Sequence, residues 1–270
     1  MCNAHIIDKI KSSGRPVHAA AAKGDPDGAP SSVSFGERQD IPVSFSRVVD
    51  LTHRLTPDFP SFFGPAFETE TVRTFEKDGF NLQRISYYEH VGTHFDAPIH
   101  YSEEGNTIDE VPVEELVCPL AVIDIRAKAI KDPDYRLSLD DIAAFEHEHG
   151  TIPKGACVAM FSGWESYIGT EKFRGEDSEG TLHFPGFHGD VAEFLIADRD
   201  VCGAVVDTMS LDYGCSTEFP FHYQWLPSGR YGIENVANLG ALPPIGATLI
   251  GGAPKFQGCT GGPGRVIALV

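Results

Sequence analysis

Apolar and polar positions along the chain change period several times, and the changes mark its elements. Val48-Val49-Asp50-Leu51 reads as a short first strand, near Arg47, where the compact fold is expected to begin. Pro57, Pro60, Gly64 and Pro65 then impose an irregular loop that carries Phe59, Phe62 and Phe63. Ala66 to Phe75 alternates and predicts a strand, Lys77-Asp78-Gly79 a turn, and Asn81 to His94 another strand. Continuous apolar runs of strand length follow at Leu120–Ile125, Ala156–Phe161 and Val201–Val206, the pattern of strands covered on both faces. Ala247–Ile250 and Val266–Val270 complete the strands.

Between these runs the period lengthens. Leu139–His149 predicts a helix, with Ser138 as N-cap, Asp141 as the acid of a capping box and Gly150 as the stop. Gly189–Ala197 is a second helix. No repeat or linker interrupts 47–270. The expectation is therefore α/β: a single mixed domain over 46–270, rich in strands with few helices. Residues 1–45 read as a flexible tail, because Gly24 to Ser32 is full of breakers and offers no apolar period.

Composition narrows the partners. The chain has 270 residues and a net charge of −18, which repels phosphate and argues against nucleic acid and anionic membranes. Hydrophobic residues at 41% and charged residues at 22% suit a globular protein rather than a disordered one. No apolar stretch is long enough for a membrane helix. Lys9, Lys11 and Arg15 precede only a short alanine run, so the expected location is the cytoplasm, with export by a truncated or unrecognised signal as the alternative. Six widely spread cysteines contain no CxxC pair, and the expectation is that most are buried as small apolar groups. Cys215 is read the same way, because no activating base is evident beside it.

The chemistry concentrates in Glu89–Tyr101. His90, His94, Asp96 and His100 share even positions with Gly92 and Pro98, so an extended chain would place all of them on one face. Gly92, Thr93 and Pro98 disfavour the helical alternative. Imidazoles and a carboxylate are ligands for Zn²⁺, Mn²⁺ or Fe²⁺, and a set of two His and one carboxylate leaves coordination positions open for catalysis.

The run His90-x-Gly-Thr-His94-x-Asp96-x-Pro98-x-His100 resembles the motif of the metal-dependent cyclase family, which includes bacterial kynurenine formamidases and isatin hydrolases. The resemblance extends through Asp50-Leu51-Thr52, Ser162-Gly163-Trp164, Phe184-Pro185-Gly186 and Asp207-Thr208-x-Ser210-Leu211-Asp212. It continues through Phe219-Pro220-x-His222, Glu234-Asn235-x-Ala237-Asn238-Leu239 and Gly264-Arg265-Val266-Ile267-Ala268. It implies a swivelling β/β/α fold assembled as a homodimer or homotetramer, and hydrolysis of a C–N amide bond in a small molecule. N-formylkynurenine, isatin or another small amide or ester would fit. It further implies one or two divalent metals per subunit, Mn²⁺ or Zn²⁺. His90, His94 and Asp96 would bind the first, and His222 and Glu234 the second, with Asp96 shared. His100 takes the position of a catalytic histidine. Phe59, Phe62, Phe63 and Trp164 are candidates for the substrate pocket. On their own residues, His222 is expected in a loop after a proline and Glu234 in a segment entering a helix. The rival readings are an Fe(II)-dependent oxygenase, a lyase or dehydratase on the same metal site, and a metal-binding module without catalysis.

Overall fold

The computed structural model describes residues 44–270, and Arg47–Val270 forms one compact unit. The tail expected over 1–45 and the alanine run within it lie almost wholly outside the described residues.

Thirteen strands are present among the described residues: β1 (Val48–Asp50), β2 (Phe67–Arg73), β3 (Leu82–Tyr87), β4 (His94–Asp96), β5 (Val117–Asp124), β6 (Arg136–Leu137), β7 (Cys157–Phe161), β8 (Gly186–Phe187), β9 (Gly203–Val206), β10 (Tyr231–Glu234), β11 (Ala247–Gly252), β12 (Gly261–Pro263) and β13 (Arg265–Leu269). Nine of them form one mixed sheet in the order β1-β13-β11-β5-β7-β9-β10-β4-β12. Its centre, β5-β7-β9-β10, is parallel, and antiparallel strands complete both sides. The expected mixed, strand-rich α/β architecture is the one observed.

The sequence pattern explains the layering. Alternate residues of the central strands point to opposite faces. Ala121, Ile123, Val158, Met160, Ala204 and Val206 join one core cluster, while Leu120, Val122, Cys157, Ala159 and Val205 join the other. Both faces are covered, which is why these strands read as unbroken apolar runs. The first cluster is closed by helices α1 (Leu139–His149), α2 (Gly189–Ala197) and α3 (Pro220–Trp225), through Ile142, Phe145, Val191, Leu195, Phe221 and Trp225. α1 starts as expected: Ser138 Oγ accepts from Asp141 N–H and the Asp141 carboxylate accepts from Ser138 N–H at 2.8 Å. The second cluster takes Ile233 from β10 and is closed by Phe95, Leu249, Val266 and Ala268 from the flanking strands.

Three local expectations are corrected. The Asn81–His94 strand ends at Tyr87, because the chain bends through Glu89–Thr93, where Gly92 adopts a left-handed φ of 64°. His222 lies in α3 rather than in a loop: Pro220 occupies the first turn, where the missing N–H has no helical partner to lose. Glu234 ends strand β10 rather than entering a helix, since Tyr231–Glu234 pairs with both β9 and β4.

Candidate metal centre

Only His94–Asp96 of the histidine-rich run is a strand; His90 sits in the preceding bend and His100 in a 3₁₀ turn, Pro98–Tyr101. The single extended face expected for even positions is therefore replaced by a strand with a bend on one side and a turn on the other. The side chains still converge. His90 Nδ1 lies 2.7 Å from Asp96 Oδ1, and His94 Nε2 3.3 Å from the same oxygen. Antiparallel pairing sets Glu234 opposite His94 and Gly232 opposite Asp96. Glu234 consequently reaches His94 Nε2 at 3.4 Å through Oε2 and His222 Nε2 at 3.3 Å through Oε1. His222 Nε2 is 3.8 Å from Asp96 Oδ2. Two triplets of ligand atoms result, His90/His94/Asp96 and Asp96/His222/Glu234, with Asp96 common to both.

Hydrogen bonds around the cluster select the tautomer of each imidazole. His94 Nδ1 donates to the carbonyl of Gly92 at 2.9 Å, so the neutral ring keeps its lone pair on Nε2. His222 Nδ1 donates to Asp212 Oδ2 at 2.6 Å, with the same result. The hydroxyl of Thr260 donates to Glu89 and accepts from His90 Nε2 at 2.9 Å, which leaves the His90 lone pair on Nδ1. Three imidazole lone pairs and two carboxylates thus face one another in a buried space. His94 Nε2 and Asp96 Oδ2 are buried there with no hydrogen-bond partner. Buried lone pairs and carboxylates without protons between them require positive charge. A divalent cation fits that donor set, and residues in this arrangement resemble ligands already oriented by an outer layer of hydrogen bonds.

The titration behaviour has the same origin. Burial alone would raise Asp96, but without a cation the surrounding imidazoles, His94 first and then His222 and His90, take up protons and hold it well below the usual carboxylate range. Burial disfavours charge on His94 as well, yet Asp96 and Glu234 pull it up to about 9. His222 is raised against its own burial by Asp212, Asp96 and Glu234. Glu234 is pushed up by burial and by the Asp96 charge.

His100 stands apart from the ligand atoms. Its ring stacks on that of His90 at 3.9 Å between centroids and 22° between planes, and contacts Tyr101 edge-on at 4.8 Å. Burial lowers it to about 4, so it is a neutral imidazole at pH 7.

The candidate pocket aromatics divide into two kinds. Phe59 packs in a small core with Ala66 and Val91, and Trp164 in another with Phe173, Leu182, Phe184 and Met209. The Trp164 indole N–H donates to the carbonyl of Phe173 at 2.9 Å. Both rings are thus held in packing. Phe62 and Phe63 are exposed, with Phe62 edge-on to Phe184 at 6.3 Å and Phe63 edge-on to Tyr88 at 6.2 Å. Cys215 is half-buried, and burial together with the Asp134 carboxylate raises its thiol, which disfavours a nucleophilic role.

Two functional positions escape sequence reasoning. Asp212 accepts from the N–H groups of Phe221 and His222 as well as from the His222 ring, so one carboxylate starts α3 and aims its histidine. Gly232 faces Asp96 across the sheet, and a Cβ there would stand 2.8 Å from Leu211 Cδ1 and 3.2 Å from Asp96 Oδ2. The Asp212 signal is present in the run ending Ser210-Leu211-Asp212, but its partner lies ten residues on; the Gly232 signal depends on strand register.

Comparisons with known proteins give the family. The family model described as "Putative cyclase" matches residues 49–213. An isatin hydrolase from Roseibium aggregatum is 34% identical over 80% of this chain and 86% of its own length. A kynurenine formamidase from Bacillus cereus is 25% identical over 71% of this chain and 82% of its own. The solved structure of isatin hydrolase A from Labrenzia aggregata, bound to benzyl benzoate, superposes with a TM-score of 0.78 at 36% identity, covering 83% of this chain and 93% of that one. With a family model spanning more than half of its length and a relative 34% identical over 80% of it, the chain belongs to the cyclase family.

Proposed function

We propose that this enzyme opens the ring amide of an aryl-fused lactam of the isatin kind, using one or two divalent cations, Mn²⁺ or Zn²⁺, held by His90, His94 and Asp96 and by Asp96, His222 and Glu234. Its class is hydrolysis of a non-peptide C–N amide bond, and the relatives' names do not favour the oxygenase alternative. One observation carries the reading: the lone pairs of three imidazoles and two buried carboxylates face a common space, and His94 Nε2 and Asp96 Oδ2 have no partner in it, a donor set that suits a divalent cation. A bound divalent ion supplies a water of near-neutral pKa and polarises a carbonyl.

The chain's own groups do the rest. Asp212 and the carbonyl of Gly92 hold His222 and His94 in their donor tautomers. His100, neutral and stacked against His90, accepts a water proton on a ring nitrogen and returns it to the departing amide nitrogen. The acyl carbon gains the hydroxyl, the endocyclic C–N bond breaks, and the single ring-opened product carries both a carboxylate and an aryl amine. The exposed Phe62 and Phe63 supply the apolar surface for the aromatic part of the substrate. The 34% identity to an isatin hydrolase favours a cyclic amide over an open aryl formamide, against 25% for the formamidase.

The test is a hydrolysis assay of chelator-treated protein with isatin, N-formylkynurenine and a simple aryl formamide, each with Mn²⁺ or Zn²⁺ restored. Metal-dependent turnover greatest on isatin is expected. Full activity without metal, or oxygen consumption with ferrous iron in place of hydrolysis, would overturn the reading.

A further inference from the structure

A second group of ligand side chains lies at the opposite end of β10 from Glu234. Cys118 is second in β5, Cys157 first in β7, Cys202 directly precedes β9, and Tyr231 is first in β10, so four adjacent parallel strands begin with these residues. All four are 4% exposed or less. Cys157 Sγ is 3.4 Å from Cys118 Sγ and 4.0 Å from Cys202 Sγ, and the three sulfurs lie within 4.8 Å of one another. Tyr231 Oη is 3.2 Å from Cys157 Sγ and 3.9 Å from Cys202 Sγ.

Two features set this apart from thiols packed as small apolar groups. The Tyr231 hydroxyl donates to the carbonyl of Glu115 at 2.7 Å, so its proton is engaged away from the sulfurs and its lone pairs are left for their side. The second is a vacancy in the strand row. Register places Gly203 between Cys157 and Tyr231. A Cβ at 203 would stand 2.6 Å from Cys157 Sγ and 2.8 Å from Tyr231 Cε2. Glycine weakens a strand interior, and here its one structural return is to let the thiol and the phenol meet.

We propose that Cys118, Cys157 and Cys202, with the phenol oxygen of Tyr231, form a structural site for a thiophilic divalent cation of the Zn²⁺ class, separate from the catalytic centre. Zinc–sulfur bonds of about 2.3 Å in a tetrahedron put ligand atoms ~3.8 Å apart, and the four separations given above, 3.2–4.0 Å, bracket that edge. Four protein donors and no open position make the site structural. On binding, three S–H protons leave to solvent as three metal–sulfur bonds form. The entry side is the segment Val113–Val117, where Val113 and Val117 are exposed and the carbonyl of Glu115 contacts the cluster.

Cobalt(II) added without oxygen to the reduced, chelator-treated full chain tests this with a readout independent of activity. One equivalent should produce sulfur-to-cobalt charge-transfer absorption and the intense visible bands of a tetrahedral, thiolate-rich site, and Zn²⁺ should bleach both. Cys157→Ala should abolish the bands, with Cys118→Ala at the rim of the cluster as the second variant should the first not fold. Tyr231→Phe should keep the charge-transfer band and weaken cobalt binding by about tenfold or more. Cys215→Ala and Asp96→Ala should leave the bands unchanged. Absence of the charge-transfer band in the wild-type chain overturns the proposal. So does its survival in a folded Cys157→Ala chain, its loss in Cys215→Ala, or a purified chain in which two of the three thiols are already joined as a disulfide.

Discussion

At the scale of single residues, the centre separates groups that would hold a cation from groups that orient them. Asp212 touches no proposed substrate atom; its carboxylate accepts from the His222 ring at 2.6 Å and fixes Nε2 as the face turned to Asp96 and Glu234. Asp212→Asn keeps the shape but presents an amide that can turn its N–H₂ to the ring. Metal affinity should fall about 10–100-fold, the usual loss when such an orienting partner is removed, and titration of apo-protein with Mn²⁺ or Zn²⁺ reads it directly. An affinity unchanged within a factor of two would show that helix α3 alone holds the histidine. His100 makes the complementary case. Its ring stacks on His90 but is absent from both ligand triplets. His100→Ala should therefore retain its metal and lose about 10²–10⁴-fold in kcat, the range of a general base. Metal content and kcat measured on one preparation decide it, and a chain that loses its metal would make His100 a ligand.

At the scale of elements, the strands and the two longer helices were readable because each has a period, a cap or a double-sided apolar run. The site was readable only in part. His90, His94 and Asp96 declare themselves by spacing, although the extended strand that suggested them is three residues long. His222 and Glu234 came from family resemblance, since their approach depends on the pairing of β10 with β4, between segments far apart in sequence. Gly232 was invisible for the same reason. Gly232→Ala should push Leu211 and the Asp96 carboxylate apart, costing about 1–3 kcal/mol in an urea titration and lowering metal content together with activity. Full metal content in that variant would show that the carboxylate has room to spare. A further buried carboxylate serves bonding rather than catalysis. Asp207, after β9, accepts from the N–H and hydroxyl of Ser162 and from Trp164 N–H, and so ties down the chain leaving β7. Burial raises it from 3.8 to about 6 despite those bonds. The folded form thus holds its proton more tightly than the unfolded form, and stability falls as pH rises from about 4 to 6. The effect is about 3 kcal/mol from two pH units. The stability of wild type relative to Asp207→Asn should therefore improve by about that much on going from pH 7 to pH 4. Parallel pH profiles for the two proteins would refute it.

At the scale of the whole molecule, charge and apolar surface make opposite demands. A net charge of −18 keeps separate chains apart. Among the described residues no helix is long and apolar enough to cross a membrane. Yet the β2–β3 hairpin exposes Phe75, Phe80, Leu82 and Ile85, and none of its strand residues is buried. A two-stranded hairpin is marginal in water without a surface to cover one face, and exposed apolar side chains such as these suit an interface. We infer that the surface is a second copy of this chain. Residues 67–87 hold four acids and three bases, a net charge of −1, so two hairpins meet with little of the repulsion that the rest of the molecule carries. Sedimentation or light scattering should give the mass of two or four chains. Leu82→Glu with Ile85→Glu adds two charges to each hairpin, and like charges brought together in an apolar contact oppose association. That double variant should sediment as a single chain while binding the same amount of Mn²⁺ or Zn²⁺ per chain, because neither residue touches the ligand triplets. A wild-type chain that is monomeric at assay concentrations, or a double variant that remains assembled, would move the interface away from the hairpin.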